Sequence, residues 1–431
     1  MGRPKKNPTI SAGYVTKKIQ NLPGMTEILT SADALWDILL KRLSRTARAY
    51  GFNRIEPPLL EEARLFETAG AFNAASTVGV SDDVFGRPAV VRPTLLPSVL
   101  RAYAQQKIYE TAPLSKWWYS GFTAKKQEKN QPVSDFNFGF EVFGTFTHLA
   151  EAQLVSAVWE LLQSLGLKDL SLEINSIGED ACQRVYEEAL AGYLSGKKYE
   201  LCDSCSEHLK GRVLNVFRCN NLDCQAIVAE APTILDYLDP KSHKHFTNIL
   251  EALDEMGIPY QLNHLYSGPN GHSRTNFVIK YKTKTGVQVL GEGGYHDGMI
   301  QSICGKNFCA FGFYGSLTGV YELLAASRVT VTREQTNEVF LVPLGELASK
   351  KALRLFRDLI SSKISVYDHF GDAGVKNQLK AAQVFKAPIA LIMGQKEAMD
   401  EMVILRDVKS GMQEVISYDK IVEEVKKRLG K

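Results

Sequence analysis

Between residues 35 and 47 the apolar positions return at helical spacing. Leu35, Ile38, Leu39, Leu43 and Ala47 form one stripe, with lysine and arginine on the other face and Ser31 placed to cap the start. "GFNRIEPPLL" follows as a turn glycine and a short strand closed by two prolines. "AVVRP" predicts another strand, with a helix from Leu96 to about Tyr109. The period then changes. "KWWYSGF" and "FNFGFEVFGTF" flank the polar "TAKKQEKNQPVSD", which predicts a long antiparallel hairpin with a flexible tip. A helix from about Leu149 to Leu165 leads to the strand "LSLEINSIG", and residues from about 180 to 262 read as mostly helical. "NFVIKYKT" and "GVQVLGEGG" are strands joined by "KTG", and "CAFGFYGS" runs into a helix beginning near Leu317.

From about residue 337 strands and helices alternate. "EVFLVPL", "ISVYDHF", "APIALIMG" and "MVILRDV" are separated or followed by helices at 347–363, 375–385 and 418–429. Apolar strands alternating with helices predict a parallel or mixed sheet covered on both faces. The organisation expected is a basic tail (1–20), an antiparallel α+β domain (21–330) with a helical insertion at about 180–262, and an α/β domain (337–431) after a polar linker.

The length of 431 residues fits two or three domains, and 45% apolar with 23% charged residues is an ordinary globular composition. There is no run of about 18 apolar residues and no signal-peptide stretch, so a cytoplasmic protein with no membrane span is expected. A net charge of +3 does not imply nucleic-acid binding; only its distribution could. Arg3, Lys5, Lys6, Lys17 and Lys18 make the tail basic; "GRPKK" could touch a phosphate backbone or a minor groove, and the plainer reading is a solvated, disordered terminus.

Several long words, in order, resemble histidyl-tRNA synthetase, a class II aminoacyl-tRNA synthetase. They are "LPGMTEIL", "YGFNRIEPPLLEEARLFETAG", "FGFEVFG", "EAPTILDYLDPKSHKHFTNILEALDEMGIPYQLN", "VFLVPLGELASKKALRLFRDLISSKISV" and "GDAGVKNQLKAAQVFKAPIALIMGQKE". The resemblance implies a class II antiparallel catalytic-type domain, a C-terminal anticodon-binding-type domain, and a homodimer with Pro58 at its interface. It also implies ATP-dependent, magnesium-assisted activation of histidine and transfer to tRNA.

That chemistry needs arginines, because a guanidinium can hold two phosphate oxygens as charge gathers on them. None occurs between residues 102 and 183 or between 275 and 327, so the second and third motifs of the family lack theirs. The matching positions are Lys125 or Gln127, and Gly319 or Glu322. Of the residues that read histidine, the carboxylate for the ammonium becomes Thr94 and a glutamine becomes Asn137. An arginine becomes Ser267, and two tyrosines become Gly271 and His272. "GGYHDG" places His296 in the same pocket, while Arg92 and Glu141 are kept. Lys125, Lys126 or Arg274 could supply the missing charge from another position. Binding of ATP and magnesium is therefore in doubt.

Cys202, Cys205, Cys219 and Cys224 are spaced C-x2-C-x13-C-x4-C, which suits a closed structural zinc site, with His208 as a substitute ligand. Four reduced thiols are the alternative. Lys350, Lys351, Arg354, Arg357, Lys376, Lys380 and Lys386 are candidate RNA contacts in the last domain. The expectation is a catalytically lapsed relative that binds tRNA, another RNA or a protein partner in a regulatory role. An active, divergent histidine–tRNA ligase and a subunit of the ATP phosphoribosyltransferase regulatory type are the alternatives.

Overall fold

The computed structural model describes residues 20–25, 27–28, 35–70, 76–80, 86–126, 131–211, 213–268, 272–284, 286–306, 308–327, 338–368 and 374–431. Ser31, the basic residues Arg3 to Lys18, Gln127 and Gly271 lie outside them. The chain forms two compact units, Met1–Val331 and Thr332–Lys431.

The first unit is a mixed α+β fold. Its strands are β1 (Asn53–Arg54), β2 (Leu60–Glu62), β3 (Val78–Val80), β4 (Ala89–Val91), β5 (Ser115–Lys126) and β6 (Pro132–Phe143), followed by β7 (Leu170–Ser176), β8 (Tyr260–Leu262), β9 (Ser273–Thr283), β10 (Gly286–Tyr295) and β11 (Ala310–Ser316). Eight of them make one sheet in the order β1-β5-β6-β11-β10-β9-β7-β8, and β2, β4 and β3 make a small one. Pairing in the large sheet is antiparallel except at its two edges, β1 on β5 and β7 on β8.

Period-two alternation divides this sheet into two faces. Phe138, Phe140, Phe277, Phe311 and Phe313 point to the apolar side. Helices Leu35–Ala49, His148–Ser164, Pro240–Glu255 and Leu317–Ser327 bury their own stripes there, with Trp36, Leu39, Leu43 and Ala47 from the first. Thr147 caps the second by accepting from the Ala150 N–H. The opposite face is polar over its centre. Part of it is covered by helix Leu96–Gln105, whose Tyr103 stacks on Phe143 at 4.0 Å.

The hairpin is longer than the sequence suggested. β5 and β6 pair without interruption from Ser115↔Phe143 to Lys126↔Pro132, so much of the polar tip is ladder. The helical segment after β7 also divides. Helices Asp180–Gly196, Asp203–His208 and Leu222–Ala229 enclose a core of their own around Tyr186, Leu190, Leu194 and Val216. Helix Pro240–Glu255, capped by Asp239, instead gives Phe246, Ile249 and Leu253 to the main core.

The second unit has strands β12 (Val339–Pro343), β13 (Val366–Asp368), β14 (Ile389–Met393), β15 (Met402–Asp407) and β16 (Gln413–Ser417), in the order β13-β12-β14-β15-β16. β12 runs parallel to both neighbours, and β15 is antiparallel to both of its own. Helices Glu346–Ser361, Val375–Val384 and Tyr418–Leu429 cover it. β16 was not foreseen, because it is a polar, largely exposed edge strand without a buried face to mark it. No helix among the described residues is long and apolar enough to cross a membrane.

Candidate active-site cleft and cysteine cluster

Strand pairing brings one set of polar residues onto the open face of the large sheet. Asp135, Asn137, Gly139 and Glu141 alternate along β6. Opposite them stand Thr123, Gly121 and Tyr119 of β5, and Ser316, Tyr314 and Gly312 of β11. Glu292 of β10 pairs with Tyr314. Above this row lies a cleft of about 510 Å³, whose lining includes Thr94, Lys125, Asp135, Asn137, Arg218, Glu292, Tyr314 and Ser316. A hollow of about 640 Å³ beside the small sheet is larger. Two of its arginines are matched, Arg101 with Glu61 at 2.6 Å and Arg87 with Glu62 at 3.0 Å, while Arg64 has no acidic partner among the described residues. The predicted pocket residues converge on the smaller cleft instead.

The acids at the cleft are internally satisfied. Asp135 accepts from Ser316 Oγ at 2.7 Å and from Asn137 Nδ2 at 2.8 Å. Glu292 accepts from the Tyr314 phenol at 2.9 Å and the Tyr266 phenol at 3.1 Å. Burial and this carboxylate push both phenols well above their ordinary pKa, so they stay donors. The cations are in the opposite condition. Among the described residues Lys125 has no acidic partner, and Arg218 has none either, its guanidinium donating to the Gly268 carbonyl.

Deeper in the same face sits a dry cluster. Glu141 is fully buried; Tyr119 donates to its Oε1 at 3.1 Å, and His296 Nε2 stands 3.4 Å from its Oε2. Gly139 and Gly312 make this possible, because a Cβ on either would run into the Tyr119 phenol or the Glu141 carboxylate. His272 packs edge-on to His296 at 4.6 Å, and its Nδ1 bonds Asn276 Oδ1 at 2.9 Å. Burial raises the Glu141 pKa well above the ordinary carboxylate value. It pushes His296 down to about 3 and His272 well below the usual imidazole value. Both imidazoles are therefore uncharged at neutral pH, and burial biases the Glu141 carboxyl towards its protonated form.

The predicted pocket residues separate accordingly. Thr94, Lys125 and Asn137 line the cleft, while Glu141 and His296 form its buried floor. Arg92 is buried over Gly121 on the same sheet face, outside the cleft lining, and ties neighbouring segments together. It donates to the Phe122 carbonyl at 2.9 Å, the Pro58 carbonyl at 3.0 Å and the Pro57 carbonyl. Ser267 and Glu322 are not part of the lining; Glu322 is exposed on its helix. Arg274 cannot supply free charge, since it pairs with Asp297 at 2.6 Å and covers the Phe146 ring at 4.3 Å. Lys126 is also outside the lining. The cleft's guanidinium comes from Arg218, which sequence reasoning passed over. Its one signal was its position beside Cys219.

Cys202, Cys205, Cys219 and Cys224 converge so that their sulfurs all lie within 4.8 Å of one another. Cys202 caps helix Asp203–His208, Cys205 lies inside it, Cys219 follows the turn Val213–Arg218, and Cys224 is on helix Leu222–Ala229. The Cys202–Cys219 sulfur distance is 3.7 Å. A tetrahedral ion with bonds of about 2.3 Å sets its sulfurs about 3.8 Å apart, so the group can hold a metal. Backbone N–H groups of Cys202 and Asn221 point at Cys224 Sγ and Cys219 Sγ at 3.2 and 3.4 Å. Hydrogen bonding from Cys205 leads in lowering Cys202 to about 7, whereas burial raises Cys205 and Cys224. His208, the substitute ligand considered from sequence, is not in the group.

In the second unit the basic residues also divide. Lys350 pairs with Glu346 at 2.8 Å, Lys351 with Glu401 at 3.3 Å, and Arg354 and Arg357 lie 3.9 and 4.0 Å from Asp358. Lys376, Lys380 and Lys386 are exposed and have no acidic partner among the described residues.

A mostly antiparallel sheet with helices on one face and a polar cleft on the other, followed by a separate α/β unit, is the architecture of a class II aminoacyl-tRNA synthetase. Residues 24–207 match the family model for histidyl-tRNA synthetase, and residues 338–428 match that for an anticodon binding domain. The chain belongs to the histidyl-tRNA synthetase family. A histidine–tRNA ligase of Dehalococcoides mccartyi is 28% identical over 416 residues, covering 95% of this chain and 100% of the relative. The fold is similar to that of apo histidyl-tRNA synthetase from S. aureus, with a TM-score of 0.79 at 24% identity, covering 95% of this chain and 100% of that one. It is also similar to an ATP phosphoribosyltransferase regulatory subunit/histidyl-tRNA synthetase from Bacillus halodurans C, with a TM-score of 0.62 at 16% identity, covering 88% and 99%.

Proposed function

We propose that this chain is a histidyl-tRNA synthetase-like protein that binds RNA through its second unit and does not activate histidine. The observation that carries this reading is the floor of the cleft. Glu141, which the family resemblance counts among the histidine-reading residues, faces the chain's own His296 and Tyr119, with His272 beside them. An imidazole substrate would have to displace groups already packed there. The strands also bring no arginine to the cleft, and two lost guanidinium contacts at about 3 kcal/mol each slow activation by roughly four orders of magnitude. Histidine-dependent ATP–pyrophosphate exchange should be at background, and robust exchange would overturn the reading.

Lys376, Lys380 and Lys386 are the favoured phosphate contacts, because no carboxylate among the described residues pairs with them. The cysteine group is read as a structural zinc site, since four protein thiolates leave no open position for water. A homodimer is proposed through the segment around Pro58, where Leu59 and Leu60 are 52% and 36% exposed. Light scattering at micromolar concentration tests the dimer, and elemental analysis tests the zinc. One observation favours the second reading, an active histidine–tRNA ligase: Arg218 and Lys125 place two cations at the cleft. The exchange assay separates the two.

A further inference from the structure

Arg218 and the cysteine group are joined by a single peptide bond. Cys219 is one of the four converging thiols, and the residue before it reaches the cleft of the catalytic-type sheet. Arg218 ends the turn Val213–Arg218, a segment held on one side by Val213 and Val216 in the insertion core and on the other by Cys219. Its guanidinium is tied to the Gly268 carbonyl, in the loop just before β9, and its charge bears on the Tyr266 and Tyr314 phenols and on His272. A guanidinium has five N–H donors, so most of them remain for a ligand.

The imbalance around it specifies the ligand's chemistry. Asp135 and Glu292 each accept two hydrogen bonds from within the protein. Arg218 and Lys125 have no acidic partner among the described residues. The acids already use their oxygens on internal hydroxyl and amide donors, so the free groups that the cleft offers a ligand are the N–H donors of its two cations. Two cations from different elements, around about 510 Å³ of space, suit a polyvalent oxyanion better than a lone carboxylate, which one guanidinium satisfies.

We propose that Arg218 is the oxyanion-binding guanidinium of the cleft and that a metal in the four-cysteine group holds it there, so that metal loading of the insertion sets the cleft's affinity for a phosphate-bearing small molecule. Without the ion the four thiols no longer fix the Cys219 backbone, and Arg218 samples orientations away from the sheet. The reading goes beyond the proposed function and does not depend on it, because equilibrium binding measures one and pyrophosphate exchange the other.

The test is titration calorimetry of the zinc-loaded full chain with inorganic pyrophosphate at low salt. Arg218→Gln should weaken binding about tenfold or more, with zinc content and melting temperature unchanged. Removing zinc from the wild-type chain should cause a comparable loss, and removing it from Arg218→Gln should add little. That non-additivity separates positioning of Arg218 from general damage to the fold. Displacement of pyrophosphate by AMP would support a nucleotide ligand; lack of displacement would support a free phosphoanion. Unchanged affinity in Arg218→Gln, or no pyrophosphate binding by the wild-type chain, overturns the proposal. Equal binding by zinc-free and zinc-loaded wild type overturns the role of the metal.

Discussion

The floor and the mouth of the cleft share one sheet face, yet they handle ionisable groups in opposite ways. At the floor, Glu141, His272 and His296 are sealed from water; Tyr119 donates to Glu141 and Asn276 bonds His272, while His296 makes no hydrogen bond through its ring among the described residues. At the mouth, Lys125 and Arg218 are exposed, and no acid among the described residues pairs with them. Solvation explains the difference. A buried ion costs several kcal/mol, so the floor gives up charge, whereas a cation that water reaches is kept at little cost. The floor is thus built for the fold, and the mouth is where a ligand gains most. The same division recurs in the second unit, between the paired helix Glu346–Ser361 and the unpaired lysines 376, 380 and 386.

The sharpest test adds one methyl group to the floor. Gly312→Ala puts a Cβ into the Glu141 carboxylate and should cost about 3 kcal/mol in urea denaturation. Lys125→Ala at the mouth should stay within about 0.5 kcal/mol. If the two variants lose equal stability, the contrast fails.

Next comes pH. The folded pKa of His296 is depressed, so its contribution to stability is complete above the unfolded value of 6.5 and is lost as pH falls towards about 3. The loss is at most about 1.4 kcal/mol per pH unit in that window. Glu141, whose pKa is raised, has the opposite sign: its contribution is complete below 4.5 and declines as pH rises. Comparing the wild type with His296→Asn isolates the histidine. The variant should show a flatter fall in melting temperature between pH 6.5 and 4.5; parallel curves would mean that His296 is not held neutral.

A smaller effect is expected in the second unit. Replacing Lys376 and Lys380 by glutamine should reduce the slope of log affinity against log salt for tRNA by about 1 to 2. Lys350→Gln should change it less, since Glu346 already engages that ammonium. Filter binding over a salt series would show whether the two sets differ.

Much of this was legible in the chain. "FNFGFEVF" shows both faces of β6 directly, because side chains alternate along a strand: phenylalanines to the core, Asn137, Gly139 and Glu141 to the cleft. The helical stripe from Leu35 to Ala47 was also readable, although Trp36 takes a buried place that the simple spacing gave to Ile38. The four cysteines were found by spacing because their ligand geometry is local. Arg218 was not, because its neighbours in space are Gly268 and the cleft-facing strands, and nothing in "VFRCNN" records that approach. The separation of Arg92 from the cleft was hidden for the same reason. Its partners are main-chain carbonyls, which leave no trace in residue type.

The pairing of β7 with β8 bears on how the chain assembles. These neighbours run parallel, so the whole segment between them is a crossover, and its last helix, Pro240–Glu255, is already part of the main core. The hairpin β5–β6 closes locally and can form early. The cleft-facing row cannot, because β6 finds its second neighbour only when Ala310–Ser316 has been synthesised. Until then one edge of the hairpin is open, and its unpaired N–H and C=O groups can pair with other chains. The intervening module, with its own short-range core, condenses while that edge waits. On a ribosome, the vulnerable interval ends when β11 emerges and docks.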